Sequence, residues 1–310
     1  MRRDAGIFAA VVGISAMVTA GFGWLSVLLG WCIGTVVTLL LPEHRGKGMG
    51  TVTAAVVLLG GILVLAAGAL GAEDAFPEDT TFPFISAAML ALTWRSLCGE
   101  PDTGSAVANL LGLVLLPLVG VVLLFGLQDI QWAENLPMGE PWRQVPAAVA
   151  ATSPWWCFRQ GKMEKRSWIW YALSAAFSIG MSLLTRGILG RGLAEAEAFP
   201  LYRAVQTIRI LGVLQRMEAL LAAAVLMGAF CVMVLVADKM RVAMDVLWPA
   251  VTKRRKAAGV LIAAFLVEWG IRTTEIGENT ALETVFWGFV LILALWVVLL
   301  GKTEKIRKTP

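Results

Sequence analysis

An uncharged, apolar stretch from Ala5 to Leu41 constrains the fold of this chain more than any other feature. As one helix it would be about 55 Å long, nearly twice the roughly 30 Å hydrocarbon core of a bilayer. Arg2 and Arg3 precede it, as in a signal peptide, but a signal peptide would end well before Leu41. We therefore predict two membrane helices that form a hairpin, with the turn near residues 21–23.

The composition agrees with burial in a lipid bilayer. Hydrophobic residues make up 58% of the chain and charged residues only 15%, against about 25% charged in soluble domains. The net charge is +4, but the basic residues lie in short loops and form no nucleic-acid-binding face. We predict an all-α integral membrane protein that contacts lipid and no nucleic acid.

Ten apolar segments are long enough to be helices, because unpaired backbone groups are costly in hydrocarbon. The sixth is short and contains Pro154. The predicted spans lie near residues 5–21, 23–41, 51–71, 82–98, 104–127, 145–158, 167–189, 217–237, 257–272 and 281–301.

Basic residues orient these ten spans, since cytoplasmic loops of membrane proteins are enriched in Lys and Arg. With both termini in the cytoplasm, 19 of the 26 basic residues fall on the inner side. Without the sixth span, the basic clusters at 159–166 and 253–256 would lie on opposite sides of the membrane. The charge distribution therefore favours a multi-pass protein with ten spans over one with nine.

A polar stretch at 128–143 divides the single transmembrane domain, 1–310, into two halves of five spans each. We interpret it as an extracytoplasmic linker between a first half, 1–127, and a second half, 144–310. An odd number of spans per half gives the halves opposite orientations. This predicts a 5+5 inverted repeat of the LeuT-like kind, whose binding sites lie near the membrane midplane.

In that architecture the first helix of each half is interrupted, so that freed backbone groups can bind a ligand. The predicted ligand-binding residues lie in spans one and six, with Trp155 at the edge of the pocket: Gly13, Ser15, Thr152, Ser153 and Trp155. Pro154 removes a helical hydrogen bond at the second interruption. The alternative is that membrane helices commonly tolerate Gly, Ser and Pro, and that Trp155 anchors a short span at the interface.

Three arginines, Arg203, Arg209 and Arg216, recur before span eight and predict an amphipathic stretch on the outer surface. Arg216 and Glu218 stand at the mouth of that span. We predict a structural or coupling role for four residues: Pro154, Arg209, Arg216 and Glu218. The alternative is that charged residues at this position only orient the helix. Glu268 and Arg272 have the spacing of an interfacial ion pair.

Catalysis has little support in the sequence. The chain has one histidine, His44, no glycine-rich phosphate loop and no clustered metal ligands. Its four cysteines lie far apart, without the spacing of a metal or redox pair. We predict a protein that is not an enzyme and has no catalytic residues, no cofactor and no metal site.

One stretch has a more specific pattern. An aromatic-Pro-Leu start at Phe199 is followed by an Arg-Ile pair at Arg209, by Gln-Arg-x-Glu-Ala-Leu from Gln215 to Leu220, and by the segment Gly228 to Phe230. This pattern resembles the endospore germination permeases. Weaker similarities occur at 20–29 and 135–137, in the same order along the chain.

The resemblance implies ten helices in the fold of the amino acid, polyamine and organocation transporter superfamily. It implies a permease-like subunit of a spore nutrient germinant receptor, in the spore inner membrane or cell membrane of a spore-forming bacterium. Its expected partners are a larger membrane subunit, a lipoprotein subunit and a small nutrient such as an amino acid. Gly23 departs from the pattern, which has an acidic residue there, and the first helix is shortened.

Two other functions fit the same sequence. An ion-coupled amino acid permease of the same superfamily would transport its ligand, whereas a membrane scaffold subunit would bind nothing small and only assemble partners. The shortened first helix favours the scaffold.

Overall fold

The computed structural model describes residues 4–40, 50–74, 84–100, 103–135, 141–158, 163–197, 200–207 and 217–273. These ranges contain helices and no β-strand. The α-helices are α1 (Asp4–Ile14), α2 (Trp24–Leu40), α3 (Thr51–Asp74), α4 (Phe84–Cys98), α5 (Thr103–Gly126), α6 (Val145–Ala151), α7 (Ser153–Cys157), α8 (Lys165–Leu189), α9 (Arg191–Ala196), α10 (Pro200–Thr207), α11 (Met217–Leu247) and α12 (Lys253–Thr273). A π-helix from Ser15 to Thr19, here called the π segment, continues α1.

Four of these helices are long and apolar enough to cross a membrane, which indicates a membrane protein. They comprise Thr51–Ala72, Thr103–Asp129, Lys165–Leu189 and Ala219–Leu247. Helices occupy nine of the ten segments that the sequence predicts as spans, counted over the described residues. The tenth, near 281–301, lies outside them.

The most buried helix of this part of the chain is α1, because every residue from Asp4 to Ile14 is buried. It packs against α5, α8 and α11. Glycine allows its close approach to α11: a Cβ atom on Gly13 would lie 2.5 Å from the backbone carbonyl carbon of Gly228. Small residues that bring helix backbones together are typical of membrane helix packing.

The chain turns after the π segment, within Ala20–Gly23, close to the predicted position. The predicted hairpin is not the main packing arrangement, since the chief neighbours of α2 are α6 and α8 rather than α1. Two glycines of α2 permit this contact: a Cβ on Gly30 would touch Ala148, and one on Gly34 would touch Thr152. The first two helices therefore separate: α1 packs mainly against α5 and α11, α2 packs mainly against α6, and both contact α8.

The predicted sixth span consists of two short helices, α6 and α7, that are interrupted at Thr152. Pro154 lacks the N–H that would continue the hydrogen-bond ladder of α6 into α7. Together the two helices rise only about 20 Å, which is less than the hydrocarbon core. Most of their residues are nevertheless buried, against α1, α2 and the π segment.

Two buried charges on α11 lie at the ends of neighbouring helices. The Asp238 carboxylate accepts a hydrogen bond from the backbone N–H of Ser105, in the first turn of α5, at 3.2 Å. The Arg241 guanidinium donates to the carbonyl oxygen of Gly99, directly after α4, at 3.1 Å. An anion at a helix N-terminus and a cation beyond a C-terminus both complement the helix dipole.

Glu268 and Arg272, predicted to form an ion pair at the interface, differ in burial. Glu268 is fully buried, whereas Arg272 is exposed. Glu268 continues the face of α12 formed by Ala257, Val260 and Ala264, which is the buried face of a helix that packs against α3 and α4. Helical spacing placed the two residues near each other but gave no information on which face of α12 would be covered.

Candidate functional site

The two interrupted helices lie next to each other. The π segment packs against α6 and α8, and α7 packs against α1 and α2. At the first interruption, the Thr19 hydroxyl donates to the carbonyl oxygen of Ser15 at 3.2 Å. At the second, the Thr152 hydroxyl donates to the carbonyl oxygen of Val149 at 2.6 Å. At each break a threonine hydroxyl thus bonds to a nearby backbone carbonyl, and π segments within α-helices occur often at functional sites.

A row of buried serines on α8 faces these interruptions. Ser174, Ser178 and Ser182 recur every fourth residue and therefore lie on one side of the helix. The Ser178 hydroxyl lies 2.7 Å from that of Ser15, and the indole N–H of Trp155 donates to the Ser174 hydroxyl at 3.3 Å. One face of α8 thus contacts both interrupted helices.

These serines are not among the site residues predicted from the sequence, although their four-residue spacing was a usable signal. We call Ser15, Thr152, Ser153, Trp155, Ser174 and Ser178 the central polar layer. All six are at most 1% exposed. Five of them form hydrogen bonds within the protein, and together the six provide hydroxyl and indole groups without a charged side chain.

The predicted ligand-binding residues divide into two groups. Ser15, Thr152, Ser153 and Trp155 belong to the central polar layer, but Gly13 contacts the backbone of Gly228 at a helix crossing. Trp155 is fully buried, and its ring centroid lies 5.5 Å from that of Tyr171. It is therefore enclosed by the helix packing of the described residues, and its place at a binding pocket stays a prediction.

Ser153 differs from the rest of the central polar layer. Its hydroxyl is buried, yet no hydrogen-bond partner for its Oγ atom lies within reach in the described residues. A buried hydroxyl without a partner costs about 1 to 3 kcal/mol. Ser153 is the first residue of α7, directly after the break, and its hydroxyl remains a candidate for ligand binding.

We expect Ser153→Ala to leave the protein as stable as before or stabilise it by about 1 kcal/mol, because the substitution removes an unpaired buried hydroxyl. The matched control is Ser178→Ala. It removes the oxygen that lies beside the Ser15 hydroxyl and should cost about 1 kcal/mol. Thermal unfolding in detergent, followed by tryptophan fluorescence, measures both. Equal destabilisation by the two substitutions would show that the Ser153 hydroxyl has a partner.

The structural or coupling candidates are only partly described. Pro154 is buried in the first turn of α7, and Glu218 lies in the first turn of α11. Arg209 and Arg216 lie outside the described residues, as does the side chain of Glu218.

The amphipathic stretch predicted around the arginines is visible in α10. This helix buries Pro200, Leu201, Ala204 and Val205, against α8 and α11. Arg203 lies on its exposed side, 3.6 Å from Glu197. The part of the predicted stretch at 208–216 lies outside the described residues.

Metal binding has no visible basis in the described ranges, which hold no group of three or more His, Cys, Asp or Glu side chains close enough to share an ion. Cys157 and Cys231 are buried and fill space in the helix packing. No family model matches the chain, and no curated protein matches it.

Proposed function

We propose that this chain is the permease-like subunit of a spore nutrient germinant receptor, and that it binds a small nutrient such as an amino acid. One observation supports this most: two interrupted helices, each the first of its proposed half, lie together against the serines of α8. Transporter folds with inverted repeats bind their substrates between such broken helices. The pattern from Phe199 to Phe230, which resembles the germination permeases, supplies the link to spores.

The proposed architecture has ten spans in a 5+5 inverted repeat, with halves at 1–127 and 144–310 and both termini in the cytoplasm. In this arrangement α6 and α7 together are the first helix of the second half. The linker at 128–143 and the short helices α9 and α10 lie on the outer side. The distribution of basic residues along the sequence supports this orientation.

The test is deletion of the gene in the spore-forming host, followed by germination assays with a panel of single nutrients. We expect germination to fail with at least one nutrient and to return with a wild-type copy. In spores complemented with Ser153→Ala, the protein should be present in the spore membrane. Germination of these spores should need a higher nutrient concentration, since the alanine side chain cannot hydrogen bond to a ligand. Normal germination of the deletion strain with every nutrient would refute the proposal.

A membrane scaffold subunit is the second candidate, because the central polar layer is closely packed. Ser15 and Ser178 hydrogen bond to each other, and Trp155 is fully buried. A scaffold would bind its partner subunits without a nutrient. Isothermal titration calorimetry of the purified protein with the same nutrients separates the two candidates: the receptor gives heat of binding with the active nutrient, and the scaffold gives none with any.

A further inference from the structure

The last turn of α8 carries a buried arginine whose hydrogen-bonding groups are only partly used. The Arg186 side chain is 7% exposed and forms an ion pair with Glu195 through its Nη2 atom. Its Nε–H is buried and has no hydrogen-bond partner among the described residues. A guanidinium offers two parallel N–H groups, Nε and one Nη, that match both oxygens of a carboxylate. Glu195 contacts only one of these two groups.

Glu195 is also shared with a second arginine. The same oxygen, Oε1, accepts a hydrogen bond from Nε of Arg191 at 3.1 Å. Both side chains are partly exposed, 39% for Glu195 and 43% for Arg191. One solvent-accessible carboxylate therefore serves two guanidinium groups, and the three side chains carry a net charge of about +1. Glu195 is partly exposed, and an anion that takes its place keeps the buried Arg186 guanidinium paired, so the exchange avoids the cost of an unpaired buried charge.

The turn between the first two helices packs closely against the other edge of this guanidinium. A Cβ atom on Gly23 would lie 2.8 Å from Nη1 of Arg186, so any side chain at this position would crowd it. One helical turn before Arg186, the Ser182 hydroxyl donates to the carbonyl oxygen of Phe22 at 2.6 Å. Arg186 thus lies against the turn that follows the π segment, on the same side of α8 as the central polar layer.

We propose that Arg186 binds the carboxylate of a small solute, and that Glu195 takes the place of this carboxylate when no solute is present. The solute's two oxygens accept hydrogen bonds from Nε and Nη2, which supplies the acceptor that Nε lacks. Glu195 then pairs with Arg191 alone, so no charge is left unpaired. This site is separate from the central polar layer, and it does not depend on the proposed function in germination.

The test uses the purified full-length chain in detergent, with sodium acetate as the probe and sodium chloride at equal ionic strength as the reference. Acetate should raise the unfolding temperature of the wild type, and acetamide, which has no charge, should not. In Glu195→Gln, acetate should bind about tenfold more tightly, because the competing carboxylate is gone. In Arg186→Lys, which keeps the charge but lacks the paired N–H groups, acetate should bind about tenfold more weakly.

Glu197→Gln is the matched control, since Glu197 lies two residues away and pairs with Arg203 instead. Its acetate affinity should equal that of the wild type. The proposal is overturned if Glu195→Gln and wild type bind acetate equally, or if acetate and chloride act alike in both. Because Glu195→Gln retains Arg186, this comparison decides the question even if Arg186→Lys does not fold.

Discussion

Gly13→Ala should destabilise the protein by about 3 kcal/mol or more, the upper end of the range for overpacking, because its new Cβ would meet backbone rather than a movable side chain. That Cβ would lie 2.5 Å from the carbonyl carbon of Gly228 and 2.9 Å from the backbone nitrogen of Ala229. Relief of this clash requires α1 and α11 to move apart. Since α1 also contacts α5 and α8, the separation would disturb most of the described core.

The measurement is thermal unfolding in detergent, with size-exclusion chromatography to detect aggregation. Gly228→Ala should have a similar effect, since its Cβ would lie 2.5 Å from the Cα atom of Gly13. The control is Gly259→Ala in α12, where a Cβ meets nothing within 4 Å. Alanine is the better helix former, so this variant should be more stable by roughly 0.5 to 1 kcal/mol. Similar unfolding temperatures for Gly13→Ala and Gly259→Ala would contradict the assigned helix crossing.

Asp238→Ala should destabilise the protein by about 2 to 4 kcal/mol. The substitution removes the acceptor for the Ser105 N–H, which costs about 1 to 2 kcal/mol as a helix cap. It also removes the acidic side chain three residues from Arg241, a buried cation, which adds to the loss. Because Asp238 and Arg241 lie at the ends of α5 and α4, the connection between these helices should open first.

Asp238→Asn distinguishes the cap from the charge, because asparagine retains an oxygen acceptor and is an equally good capping residue. We expect it to cost less than Asp238→Ala, about 1 kcal/mol for the lost interaction with the helix dipole. Amide hydrogen exchange should report faster exchange at the start of α5 in Asp238→Ala than in Asp238→Asn. Unchanged exchange and stability in both variants would show that Asp238 does not cap α5.

Much of the helical architecture follows from the sequence. Apolar segments gave the positions of helices from α1 to α12, with two short surface helices, α9 and α10, between α8 and α11. Pro154 and the hydroxyl residues before it indicated the interruption at Thr152. The candidate site followed less completely from the sequence, and its residues stay predictions. Ser15 and Ser153 were selected and lie in the central polar layer, whereas Gly13 lies at the crossing with Gly228. Ser174 and Ser178 were not selected, because their spacing in an apolar helix resembles ordinary helix packing.

Helix positions could be predicted because a backbone in an apolar environment must satisfy its hydrogen bonds locally, whichever helices surround it. Contacts between helices have no such local rule. Ser15 and Ser178 are 163 residues apart, and each lies in a segment whose pattern fits several orientations. Only the tertiary structure, in which Gly13 meets Gly228 and so sets how α1 lies in the bundle, decides that these two hydroxyls face each other.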